Sequence, residues 1–483
     1  MMKFFTPPKN DALYPWLLAA VLSLGAASSA NAQAVHFTNG YKVVELSSTE
    51  AILWTRLCGQ AEPNPIVHVR KPTVFRHPLH FDEQMPVSAM DGAVKGAEGY
   101  VRAMLTAGKQ TKTTRWYRAG ATEDYTIQIP LKHLHPDTEY TLRLEGKATK
   151  RSAESSTIEG RFRTPARKSE VVPVTFTTST CQYFWSYDDS LRGFQTYQSM
   201  ARLNPDFFVQ TGDYVYYDKP GPLANTPERA RHKWHAMNGW PSLIDLFRQT
   251  PVYLIRDDHD LLSDDAHAQT EDYGALSYAE GLEIWEENAP VSKLPYRTFR
   301  WGQDLQIWLL EGREYRSANQ VPDSNGKTIL GERQKEWLSR TLNTSDATFK
   351  IVISATPVVG PDRQSKSDNH ANAAFQTEGE WLRTLLSAHR HTYVINGDRH
   401  WQYVSQDSAT ALLEFGSGPV SDAHVQGWDE GLYPEHRYLN LIGGFLGVTV
   451  TRSSGRPTLT FRHYDVHGKP RHTEQVVLTN NEE

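Results

Sequence analysis

Three aspartates in this chain share a setting that suits metal chemistry. Asp213, Asp258 and Asp398 each fall just beyond a short apolar run, and each is followed within three residues by a side chain able to bind a cation or move a proton: Tyr216, His259 and His400. Carboxylates brought to one place repel one another strongly unless cations sit between them. A site for two or more metal ions is the economical reading. Cys181 closes another such run, Val174-Thr175-Phe176, level with Asp213, and that place makes it a ligand candidate rather than a small buried hydrophobe.

These residues need elements to position them. Phe207-Phe208-Val209 leads to Gly212-Asp213, and Val252-Tyr253-Leu254-Ile255 leads to Asp257-Asp258-His259. Ile307-Trp308-Leu309-Leu310 leads to Glu311, Ile351-Val352-Ile353 to Ser354-Ala355-Thr356, and Tyr393-Val394-Ile395 to Gly397-Asp398-Arg399-His400. Together with the run before Cys181 these read as buried strands, and amphipathic stretches near 194–203, 227–248, 275–288, 331–342 and 378–387 lie between them. The alternation predicts a largely parallel sheet covered by helices on both faces. Ligands of such sheets bind outside the carboxyl ends of the strands, so distant segments are expected to build one site.

Upstream the pattern differs. Residues 34–167 show short alternating segments, at 41–46, 51–56, 125–129 and 140–144, without a helical period. Leu134, Pro136, Thr138 and Tyr140 resemble the corner of fibronectin type III domains, where a Tyr pins one strand crossing. An N-terminal β-sandwich over 34–167 is expected, a break at 164–169, and a second domain over 171–483. Packing of the sandwich over the cleft is one expectation for its role.

Composition narrows the partners. The 483 residues are 39% hydrophobic and 22% charged, with 13 Trp, 22 Tyr and 18 Phe, which excludes disorder, collagen and coiled coil. The net charge is −5 and no stretch is densely basic, which argues against nucleic acid as the main partner. The one long apolar stretch, 14–27, is short of the roughly 20 residues of a spanning helix. Lys3 and Lys9 precede it and Ala30-Asn31-Ala32 follows, so residues 1–32 read as a cleaved signal peptide without a twin-arginine pair. A periplasmic or secreted mature chain beginning at Gln33, with no membrane span, is expected. A Cys58 to Cys181 disulfide would suit an oxidising compartment, but the setting of Cys181 points elsewhere, and Cys58 reads as a core thiol.

Thr180-Cys181-Gln182, Gly212-Asp213-Tyr214-Val215-Tyr216, Asp257-Asp258-His259-Asp260 and Gly397-Asp398-Arg399-His400-Trp401, in that order, resemble the PhoD-type alkaline phosphatase and phosphodiesterase branch of the metallophosphoesterases. The likeness runs from about 171 to the C-terminus, and the upstream sandwich is similar to that family's N-terminal domain. It implies an N-terminal fibronectin-III-like all-β sandwich followed by a calcineurin-like α/β domain whose β-sheet core is flanked by helices. It also implies an exported phosphoric ester hydrolase for monoesters, diesters or both.

Carried over residue by residue, the resemblance has Cys181, Asp213 and Tyr216 holding a ferric ion, with Asp213 bridging to a divalent site. Asp258 falls on a ligand position, His259 lies beside the leaving group, and Asp398 and His400 complete a cluster of iron with one or two calcium ions, other divalent metals being possible. Thiolate and phenolate suit Lewis-acidic iron, and calcium takes carboxylates. A metal-activated hydroxide would attack phosphorus in line, with no covalent phosphoenzyme, and His259 would protonate the departing oxygen. Many metallophosphoesterases carry a His ligand where this chain reads Ser354-Ala355-Thr356; PhoD-type proteins share that departure.

Several positions stay open at this level. Asp257 and Asp258 alternate in direction at a strand end, so one of them is expected to face the metals, and Asp258 is favoured by its place before His259. Arg313 and Arg316, with Tyr315 between them, are candidates for a phosphate contact, and a salt bridge to nearby carboxylates is an equal alternative. Asp368-Asn369-His370 could line the cleft, but a surface turn is the default. Asp260, Asp264 and Asp265 read as cap or surface carboxylates, and His232, His235, His267 and His424 as structural or surface residues. Two other functions compete: a phospholipase-D-like or wall-polymer diesterase, and a surface adhesion or binding protein with a degenerate site. Retention of Asp213 and His259 argues against the latter.

Overall fold

Each of the expected apolar runs forms a strand, but the strands divide between two sheets. The structure, a computed structural model, describes residues 34–479 except 154 and 292–293, so the expected signal peptide lies outside the described residues. Val174–Ser179, Phe207–Gln210 and Val252–Leu254 are parallel neighbours inside a nine-stranded sheet. Leu305–Leu309, Phe349–Ser354 and Thr392–Asn396 are parallel neighbours inside a seven-stranded sheet.

The period of two along each strand explains how the sheets stack. Phe176, Phe207, Val209 and Tyr253 share one core with Ile307, Leu309, Ile351, Ile353 and Ile395 of the other sheet. The alternate residues face outward. Phe208, Val252 and Leu254 pack with side chains of the helices Gln195–Arg202, Pro227–Asn238 and Pro241–Phe247. Trp308, Val352 and Val394 pack with those of Glu332–Asn343 and Gln376–Ser387. Each such side chain contributes about 1.5 to 3 kcal/mol when fully buried. The single sheet with helices on both faces is thus corrected to two sheets, face to face, each with helices on its outer side. A continuous apolar run reports that both faces are buried, and not whether the second face meets helix or sheet.

The N-terminal segment is built into the same frame. Tyr41–Val44 runs parallel to Val252–Leu254, with Val44 opposite Val252, and Glu50–Arg56 and Thr126–Lys132 continue the nine-stranded sheet beyond it. Gly99–Ala107, Gln110–Thr113, Tyr117–Ala119, Glu139–Lys147 and Ser156–Arg163 form a separate five-stranded sheet. The Tyr140 hydroxyl accepts the His135 N–H at 2.8 Å above buried Leu134. Hydrogen bonding therefore runs unbroken across the sequence break at 164–169. Lys42 marks the join: it is buried, its ammonium donates to the Asn288 carbonyl at 2.9 Å, and it lies 4.1 Å from the Trp54 ring centroid and 5.2 Å from that of Tyr214. No helix among the described residues is long and apolar enough to cross a membrane.

Candidate metal centre

The carboxyl ends of the central strands of both sheets meet at one edge. Thr180 ties them together: its hydroxyl donates to the Gly212 carbonyl at 3.2 Å and accepts the Asp398 N–H at 3.1 Å. The strand ends approach so closely that side chains are excluded at two points. A Cβ on Gly212 would stand 2.7 Å from Cβ of Asp257, and one on Gly397 would stand 2.3 Å from the Thr211 carbonyl oxygen. Cys181, Asp213 and Asp398 have φ of 52°, 58° and 63°. Left-handed backbone at a non-glycine residue costs about 1 to 3 kcal/mol and survives only where the surroundings enforce it. Here three strand ends adopt it, and all three residues belong to the candidate site.

Asp213 stands at the middle. Potential ligand atoms of Cys181, Asp213 and His400 lie within 4.8 Å of one another, as do those of Asp213, Asp258 and His259, and those of Asp213, Asp257 and Asp398. The Asp213 Oδ2 atom is 3.3 Å from the Cys181 sulfur and accepts the Tyr216 hydroxyl at 2.9 Å, and that hydroxyl is 3.4 Å from Nε2 of His400. Asp213 Oδ1 is buried and has no hydrogen-bond partner among the described residues. Both cysteines are free and buried, with no disulfide between them.

The donor chemistry fits cations. Burial is the main reason that the Asp213 carboxyl is held well above the usual range; His259 opposes it and Asp258 and Asp257 add to it. Burial likewise pushes up the Cys181 thiol and the Tyr216 phenol, each reinforced by the Asp213 charge. A cation among these groups reverses every one of those penalties and satisfies the orphaned Asp213 oxygen. Burial, then His424, holds His400 well below the usual imidazole range, leaving it in the neutral form that a metal needs.

Asp257 and Asp258 both reach the centre, which corrects the expectation that only one could. The strand ends at Leu254, so the two residues sit in a loop where strict alternation no longer applies. Asp257 belongs with Asp213 and Asp398, Asp258 with Asp213 and His259. Arg313, fully buried, pairs through Nε with Asp257 and lies 3.4 Å from Asp258 through its second terminal nitrogen. Arg316 is also buried and donates to the Asp368 carbonyl at 2.8 Å and the Asn319 side chain at 2.7 Å.

Asp218 and Phe75 escaped the sequence reading, whereas Asp260 takes the cap role expected of it. Asp218 holds Nδ1 of His259 at 2.8 Å; it lies five residues beyond Asp213, in the same motif. Asp260 is buried and accepts the N–H groups of Asp213, Val215 and Asp257 at 2.9, 3.0 and 2.9 Å, so it caps the loop that carries the carboxylates. Asp368, Asn369 and His370 do not form a surface turn. All three are buried, because Asp368 pairs with Arg399 at 3.3 Å and His370 with Glu378 at 3.0 Å. His424 is neither remote nor exposed: its ring centroid lies 4.4 Å from that of His400 and 5.2 Å from that of Tyr216. From the N-terminal segment a hairpin over 69–79 brings Phe75 to the same wall, 4.5 Å from the His424 ring, with its N–H donating to the Ala423 carbonyl at 3.0 Å.

A family model for PhoD-like phosphatase matches residues 176–437. Alkaline phosphatase D of Bacillus subtilis (strain 168) is 23% identical over 269 residues, a match covering 47% of this chain and 44% of that protein. The chain therefore spans less than half the length of that curated relative. Among solved structures, that of PhoD aligns over 92% of this chain and 91% of its own, with 16% identity and a TM-score of 0.68. The purple acid phosphatase PPD1 from yellow lupin (Lupinus luteus) seeds aligns over 93% and 75%, with 9% identity and a TM-score of 0.59. At these identities the likeness is one of fold, a multi-sheet α/β architecture of the metallophosphoesterase kind. The chain, with more than half its length matched by the family model, belongs to the PhoD-like phosphatase family.

Proposed function

We propose that this protein is an exported, metal-dependent phosphoric ester hydrolase acting on phosphate monoesters, diesters or both. The observation that carries the reading is Asp213, whose single carboxylate takes part in all three candidate ligand groups and keeps one oxygen buried without a donor. Cys181, Asp213 and Tyr216, with His400 beside them, would hold iron(III), and Asp257, Asp258 and Asp398, sharing Asp213, would hold one or two calcium ions. Such cations supply Lewis-acid charge for phosphoryl oxygens and render water nucleophilic at moderate pH.

The chain's own residues supply the rest. Asp218 engages Nδ1 of His259, so Nε2 is the atom that delivers a proton to the leaving oxygen. Burial opposes a charge on His259, and the carboxylates around it, Asp218 first, raise its proton affinity, the direction a general acid requires. Arg313 and Arg316 serve the site from behind: one offsets the charge of Asp257 and Asp258, and the other braces the loop that carries Asp368.

Metal analysis of the purified mature chain by inductively coupled plasma mass spectrometry, with a visible spectrum and assays on p-nitrophenyl phosphate and bis-p-nitrophenyl phosphate, tests this reading. Iron with calcium, a phenolate-to-iron band and hydrolysis are expected. Activity with zinc or manganese alone in a colourless protein would keep the hydrolase and remove the iron site. No metal and no hydrolysis after reconstitution would overturn it.

A further inference from the structure

Residues 358–370 form a rigid loop beside the centre. The N–H groups of Val358, Val359 and Gly360 donate to the Glu414 carboxylate at 2.6, 3.0 and 3.0 Å. Asp362 and Asp368 both pair with Arg399, and Asn369 donates to their carboxylates at 2.8 and 2.7 Å. Arg399 in turn pairs with Asp398, so the loop is keyed to one of the candidate ligands. Side chains carried on such a clamped loop are held in place before any ligand arrives.

Lys366 is one of them. Its ammonium lies 3.3 Å from Asp368 and 4.0 Å from Asp264, and its side chain is 21% exposed. Asp264 is 64% exposed and stands 3.7 Å from Nε2 of His259, the atom read above as the proton donor. The ammonium thus sits one carboxylate away from that atom, on the solvent side. Burial works against its charge, and Asp368, Asp398, Asp264 and Asp265 outweigh it, holding the lysine protonated.

Loop stability gives this lysine little to do. Asp368 already has Arg399 as a buried partner, and a pair with a side chain as exposed as Asp264 contributes almost nothing. A fixed, partly solvated ammonium beside a proton donor and a carboxylate cluster is suited instead to an arriving phosphoryl oxygen. We propose that Lys366 is a substrate-binding residue of this site, its ammonium taking a non-bridging phosphoryl oxygen at the open side of the carboxylate cluster. The proposal rests on the phosphoesterase reading and narrows it. A monoester carries a second negative charge that a diester lacks, so Lys366 favours monoesters.

The test uses the full mature chain, metal-loaded, as parent, Lys366→Met and Lys366→Arg. Binding of inorganic phosphate is followed by calorimetry, kcat and KM are measured for p-nitrophenyl phosphate and for bis-p-nitrophenyl phosphate, and metal content is determined on the same samples. Lys366→Met is expected to weaken phosphate binding about tenfold, to lower kcat/KM for the monoester about tenfold or more, and to lower it for the diester by no more than about threefold. Metal content stays at the parent level, and Lys366→Arg recovers most of the loss. Unchanged phosphate affinity, equal losses on the two esters, or loss of metal from Lys366→Met would each overturn the proposal. A parent that binds no phosphate and cleaves neither ester would instead remove the hydrolase reading, and Lys366 with it.

Discussion

The Asp218 carboxylate lies 2.8 Å from Nδ1 of His259 and so leaves Nε2 as the free imidazole nitrogen beside the candidate metal centre. Removing the ring should therefore affect leaving groups unequally. His259→Ala is expected to slow alkyl phosphates by about 10² to 10⁴ and p-nitrophenyl phosphate far less, since a good leaving group needs no proton. Asp218→Asn should follow the same pattern at about 10 to 10². Metal content should stay near normal in both. Equal losses on good and poor leaving groups would remove the general-acid assignment.

Cys181 and Tyr216 converge on one oxygen of Asp213, the sulfur at 3.3 Å and the phenol at 2.9 Å. If iron sits there, Tyr216→Phe should abolish the visible band while Cys181→Ser shifts it and reduces the iron retained after dialysis against chelator. Iron stoichiometry and the absorption spectrum of each purified variant are the readouts. A spectrum and iron content unchanged by Cys181→Ser would take Cys181 out of the site.

The centre was legible because each of its acids follows its strand within a few residues, so a local pattern encodes a shared edge. Asp260 takes the cap role expected of it, accepting three N–H groups, whereas the contact of Asp218 with His259 depends on loop geometry that spacing does not reveal. The expectation that only one of Asp257 and Asp258 would reach the centre applied strand alternation beyond Leu254, where the strand ends; Asp258, the one favoured, does lie with Asp213 and His259. The two-sheet core was hidden for a different reason. Ile351 and Val352 read alike in sequence, although one meets the opposite sheet and the other a helix layer. Phe75 was beyond reach altogether, since it meets the centre only through long-range contacts, such as the pairing of Val44 with Val252 and of Arg70 with the Trp185 and Tyr187 carbonyls.

Phe75 is the point where that segment touches the site. Its ring lies 5.9 Å from the His400 ring and 6.3 Å from the Tyr216 ring, and φ at this residue is 49°. The hairpin is also held at its base, where Arg70 donates to the Trp185 and Tyr187 carbonyls at 2.8 and 2.6 Å. Phe75→Ala should therefore release the tip without unfolding the chain. Trypsin cleavage after Arg76 should accelerate about tenfold under native conditions, reflecting local opening. Resistance equal to the parent's would mean that the base alone docks the hairpin.

His463 supplies a pH dependence through a residue outside the candidate ligand groups. It lies on Arg456–Tyr464 of the nine-stranded sheet, and its Nε2 is 3.0 Å from the Gly416 carbonyl of Leu413–Ser417 in the other sheet, so one buried imidazole bridges the two. Burial pushes its pKa down to about 3, the Gly416 bond resisting only in part. The unfolded chain therefore binds a proton below about 6.5 that the folded chain refuses. Stability from this residue is complete above that pH and is lost progressively as pH falls toward 3. Between pH 6.5 and 4.5 the loss amounts to about 2.5 kcal/mol. His463→Gln keeps a donor for Gly416 but cannot titrate. Relative to the parent it should cost about 1 kcal/mol at pH 7.5, for an imperfect hydrogen bond, and be the more stable protein at pH 4.5. Urea unfolding of both proteins at the two pH values measures the crossing, and parallel stability curves would show that His463 is charged in the folded state.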